Sequence, residues 1–111
     1  FSRGDANERV LGQFRPQSNP ITIGSMPRIS EFYGIIIEMY WSDHNPPHFH
    51  AKYGEHRTEI DIRTLGILRG RLPAKATSLV IEWAALHQDE LLAQWERARS
   101  HEPLERIEPL L

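Results

Sequence analysis

The stretch that decides the fold runs His48-Phe49-His50-Ala51-Lys52-Tyr53-Gly54-Glu55-His56-Arg57-Thr58-Glu59-Ile60-Asp61. In a strand, alternate side chains point to opposite faces, so His48, His50 and Lys52 share one side and Phe49, Ala51 and Tyr53 the other. Gly54-Glu55 predicts a two-residue type II′ turn, because glycine at the first central position accepts positive φ. That turn sets Lys52 opposite Arg57, His50 opposite Glu59 and His48 opposite Asp61, while Phe49 faces Ile60 and Ala51 faces Thr58. One face becomes apolar and the other carries two imidazole–carboxylate pairs. A slip of one residue would mix the faces and bury charge, so the pattern specifies its own register.

Working outward, Tyr33 to Trp41 predicts another strand, with Ile35, Ile37, Met39 and Trp41 on one face and Ile36, Glu38 and Tyr40 on the other. Asn45-Pro46-Pro47 cannot continue a ladder, so Ser42 to Pro47 is a loop. The return strand of the hairpin is expected from Arg57 to Thr64, and Leu65 to Leu72 reads as a short, weak strand. Pro73 suits a first helical position, and the sequence up to Arg99 is rich in Ala, Leu, Glu and Gln. Its apolar stripe includes Ala76, Leu79, Val80, Trp83, His87 and Leu91. His87, Trp83 and Trp95 read as core residues. Leu104, Ile107, Leu110 and Leu111 are placed to pack back beyond Pro103. The expected architecture is α+β, a small antiparallel β-sheet of three to four strands packed against one long C-terminal helix.

A chain of 111 residues, 40% hydrophobic and 25% charged, fits one compact domain and not a disordered polymer. Residues 1–25 show no sustained period, and Gly24-Ser25 ahead of Met26 reads as the end of an extension or appended segment. The single domain is expected over 26–111. With no cysteine, disulfide scaffolds, thiol nucleophiles and cysteine-ligated zinc are excluded. No apolar run approaches the ~20 residues that span a bilayer, which leads to the expectation of a cytoplasmic protein with no membrane partner. A formal charge of −2 argues against general attraction to nucleic acid, leaving Arg57, Arg63, Arg69, Arg71 and Lys75 as a local basic concentration.

Three uses of the hairpin's polar face are compatible with its residues. Paired with Asp61 and Glu59, His48 and His50 could exchange protons near neutral pH, as metal-independent RNA cleavage requires. Lys52, Arg57 and Arg63 would then bind substrate and stabilise developing phosphorane charge. Alternatively, His44, His48, His50 and a carboxylate such as Asp61 could hold a divalent metal such as zinc, with Asp43 also in reach from the loop. The first scheme needs no cofactor. The third use is a non-catalytic surface for a protein partner, since polar side chains commonly line the open face of a sheet. No His-Glu-x-x-His helix, phosphate-binding glycine loop or Gly-x-Ser-x-Gly elbow is present.

Phe32-Tyr33-Gly34, Asp43-His44-Asn45-Pro46-Pro47-His48-Phe49-His50, and Glu82-Trp83-Ala84-Ala85-Leu86-His87 with Glu90-Leu91 and Trp95 together resemble the bacterial domain of unknown function 4160 family. The likeness extends over essentially all of 26–111. It implies a small prokaryotic protein encoded beside a second small protein, of the domain of unknown function 2442 family, in an arrangement suggestive of a toxin–antitoxin module. The resemblance thus implies a small protein partner from an adjacent gene. It supplies neither an activity nor a catalytic residue.

Overall fold

A computed structural model describes residues 27–111. The proposed extension over 1–25 lies outside the described residues. Five antiparallel strands follow one another across a single sheet: β1 (Arg28–Phe32), β2 (Ile35–Glu38), β3 (His48–Tyr53), β4 (His56–Asp61) and β5 (Ile67–Arg71). Two helices complete the domain, α1 (Ala74–Leu86) and α2 (Gln88–Arg99). The α+β class holds, but the sheet has five strands and the helical region is divided in two.

The central hairpin has the expected register, pairing His48 with Asp61, His50 with Glu59 and Lys52 with Arg57. Gly54 turns it at φ 60°, as a type II′ turn requires. The additional strand is β1, which reaches β2 through the positive-φ pair Tyr33-Gly34. Its register shifts between Arg28 and Ser30, so the neighbours Ile29 and Ser30 are both buried. That irregularity erases the period-two alternation by which a strand is recognised.

Ile35, Ile37, Met39, Phe49, Ala51 and Ile60 supply the sheet's apolar side, and Val80, Trp83, Leu91 and Trp95 complete the core from the helices. Trp83 meets Phe32 with ring centroids 5.4 Å apart and Phe49 edge-on at 5.9 Å. Burying a large apolar side chain contributes about 1.5–3 kcal/mol, so these rings dominate the attachment of α1. The helix breaks at His87, whose φ of −128° leaves the helical region. No Gly or Pro demands this break. Tertiary bonds accompany it, since the Gln88 side-chain amide donates to the carbonyls of Ile62 and Arg63 at 2.9 and 3.2 Å. Asp89 and Glu90 in the first turn of α2 suit a new helix start.

The tail packs back as expected through Ile107, although Leu111 is exposed. The Ile107 N–H donates to Ile29, the Ser30 hydroxyl to Ile107, and the Trp83 indole to the Glu108 carbonyl. No helix among the described residues is long and apolar enough to cross a membrane.

Candidate metal centre

The loop between β2 and β3 brings Asp43 back over the start of β3. There one carboxylate oxygen, Oδ2, faces two rings: His48 Nε2 at 2.9 Å and His50 Nε2 at 3.1 Å. His50 follows His48 by two positions on one side of a strand, which brings both rings to a common point. One ligand atom from each of Asp43, His48 and His50 lies within 4.8 Å of the other two.

The far nitrogen of His48 defines its chemistry. Nδ1 lies 2.8 Å from the Pro46 carbonyl oxygen, which can only accept, so Nδ1 carries the proton. In neutral imidazole Nε2 is then a lone-pair nitrogen aimed at a carboxylate oxygen. Two such acceptors at hydrogen-bond distance require a proton or a cation between them. An imidazole fixed by Nδ1–H to a backbone carbonyl is the usual arrangement behind a metal-ligating Nε2.

His48 is only 1% exposed, although strand parity puts it opposite the apolar Phe49. Trp95 of α2 lies against its ring with centroids 5.2 Å apart, and His44 approaches it at 5.4 Å. The expectation of two rings on one wet surface is therefore corrected: His48 is sealed beneath Trp95. His50 remains partly accessible and is stacked by Tyr40, with centroids 4.0 Å apart and planes 17° from parallel.

Burial tends to raise the Asp43 pKa. Hydrogen bonds from His50 and the His44 N–H, together with the charge of both rings, outweigh it and hold the carboxyl below its ordinary value. The Tyr40 phenol is pushed up, first by burial and then by the charge of Glu38.

The expected carboxylate partners occupy other roles. Asp61 stands opposite His48 in register, yet its Oδ1 accepts the N–H groups of Arg63 and Thr64 at 2.7 and 2.9 Å. It caps the loop after β4 and does not join the rings. Glu59 comes within 3.8 Å of both His48 Nε2 and Arg69 Nε, a diagonal contact instead of the expected pair with His50. Lys52 pairs with Glu38 at 3.5 Å. Arg63 is exposed beyond the hairpin, while Arg57 lines a pocket beside His50. His44 is largely exposed and approaches the other Asp43 oxygen at 3.7 Å, outside the three-residue cluster. Asp43 supplies the carboxylate, a role for which only its proximity in the loop was a signal.

Fold and site define a small α+β protein with a partly buried two-histidine, one-carboxylate cluster at the start of β3 in an antiparallel sheet. The chain belongs to the family described as Domain of unknown function (DUF4160), whose sequence model matches residues 34–96 and so includes the whole cluster. It is also similar to a histone acetyltransferase type B catalytic subunit of Emericella nidulans, at 32% identity over 87 residues. That match takes in 74% of this chain but 18% of the fungal protein. No solved structure matches.

Proposed function

We propose that the protein binds one divalent transition-metal ion through Asp43, His48 and His50. The observation that carries this reading is the convergence of two imidazole nitrogens on one carboxylate oxygen, with the His48 tautomer set by Pro46. Metal–nitrogen and metal–oxygen bonds of about 2.0–2.2 Å space adjacent ligand atoms at roughly 3 Å. The separations of 2.9 and 3.1 Å suit that requirement. Two imidazoles and one carboxylate favour zinc, manganese or iron(II) over calcium, and leave coordination positions for water or substrate.

Metal-independent cleavage by a His48–His50 acid–base pair receives less support. Both His48 nitrogens are engaged, and the ring is too enclosed to meet a phosphodiester. A toxin–antitoxin role with an adjacent-gene partner is a separate proposal, supported by the family resemblance. Co-purification of the two proteins, with growth and RNA integrity followed on expression, tests it. Acetyl transfer is not carried over from a relative of which this chain spans 18%.

Calorimetric titration of the tag-free protein with manganese, iron(II) and zinc tests the metal reading. One equivalent is expected to bind, and Asp43→Asn and His50→Ala are each expected to weaken binding about 100-fold or more while the circular dichroism spectrum is retained. Failure of the folded wild-type protein to take up any of the three ions overturns it.

A further inference from the structure

His50 belongs to two places at once. One edge of its ring faces Asp43, and the ring also lines a shallow pocket of about 250 Å³ with Tyr40, Arg57, Glu59, Arg69 and Gly70. We propose that this pocket binds the phosphoryl group of a ligand, held between the guanidinium groups of Arg57 and Arg69 and the metal-bearing His50 side. The inference rests on the metal reading above, because His50 is common to the ligand set and the pocket lining, so an ion on it adds positive charge next to the pocket.

Three features support it. First, Lys52, Arg57 and Arg71 stand in direct cross-strand register on β3, β4 and β5. Like charges facing one another destabilise a sheet, and an anion on that face offsets the repulsion. Lys52 is partly neutralised by Glu38, and Arg69 approaches Glu59, but among the described residues no carboxylate lies within ion-pair distance of Arg57 or Arg71.

Second, guanidinium groups present a planar fork of donors that matches phosphate oxygens, a geometry unavailable to a simple point charge. Arg57 and Arg69 come from adjacent strands, diagonally placed on one face, and both line the pocket. Glu59 is the one acidic lining residue; its contact with Arg69 offers that arginine an alternative partner when no anion is present.

Third, the wall is built by close backbone approach. Gly70 has φ 72°, and a β-carbon there would stand 2.2 Å from the Arg57 carbonyl oxygen. Only glycine lets β5 lie this tightly on β4, which forms the floor where Thr58 and Gly70 line the pocket. The volume is below the usual range for a drug-sized ligand, about 300–1,000 Å³, and suits a phosphoryl group with the remainder of its carrier outside.

Calorimetry with inorganic phosphate, a small phosphate monoester and a short oligoribonucleotide, each with and without one equivalent of the bound metal, tests the proposal. Phosphate is expected to bind more tightly to the metal-loaded protein. Arg57→Gln and Arg69→Gln should each weaken phosphate binding about tenfold or more while leaving metal affinity within twofold. Preference for the monoester assigns the group to a small molecule, and preference for the oligonucleotide assigns it to an RNA backbone; either supports the pocket. Metal uptake with no phosphate binding, or binding unchanged in both arginine variants, overturns this inference alone. Absence of metal uptake overturns the underlying metal reading instead.

Discussion

Two histidine–carboxylate groups in this molecule use the same residue types to different ends. His87 at the junction of α1 and α2 meets Glu90 and lies 5.5 Å from the Trp83 ring; His48 meets Asp43 and lies 5.2 Å from the Trp95 ring. Glu90 is 54% exposed and three residues from its partner across the start of α2, whereas Asp43 is 14% exposed and reaches two rings from a separate loop. The pocket beside His87 includes Asp89 and Glu90, while the one beside His50 includes Arg57 and Arg69. A local pair at helical spacing supports a chain junction. The Asp43 cluster adds a third group, a backbone carbonyl that fixes the His48 tautomer, and partial enclosure.

The sharpest way to break this comparison is truncation of each ring. His48→Ala should cost about 3 kcal/mol in urea unfolding, through lost packing on Trp95 and the lost Pro46 bond, against about 1 kcal/mol for His87→Ala. Equal costs would remove the distinction. Next in size are the carboxylates: Asp43→Asn should weaken metal binding about 100-fold while Glu90→Gln leaves it within twofold, read by calorimetry.

Gly70→Ala should destabilise the protein by about 2–3 kcal/mol, because its β-carbon meets Arg57 backbone at a strained φ. Gly54→Ala, with open space around the added carbon but φ 60°, should cost about 1 kcal/mol. Thermal unfolding of both variants separates close contact from backbone strain. An equally small effect, about 1 kcal/mol, is expected for Asp61→Ala from two lost loop hydrogen bonds. Its metal affinity should match wild type; a loss comparable to that of Asp43→Asn would return Asp61 to the ligand set.

The central hairpin was legible because alternation, charge and Gly54 all demanded one register. Its direct cross-strand neighbours were therefore predictable; of the proposed ligands, His48 and His50 were singled out by spacing, whereas Asp43 was only one of several acids in reach. Asp43 acts across a loop containing Asn45-Pro46-Pro47, whose path depends on contacts with β3 that no periodicity encodes. The burial of His48 was equally hidden, since Trp95 lies 47 positions away in sequence and reads simply as a helix-core aromatic. The helix break at His87 coincides with Gln88 bonding to Ile62 just past β4, a contact no periodicity encodes, although the acids at 89 and 90 carried a weak start signal. At β1, adjacent inward residues at the bulge concealed the strand.

The tail has a consequence for assembly. By bonding across Ile29 and Ser30, residue Ile107 occupies part of the outer margin of β1, whereas among the described residues β5 has no strand beyond it. Two copies joining margin to margin at β5 would each present a tail-blocked side outward, so that mode of growth ends at a dimer and cannot propagate into a fibre.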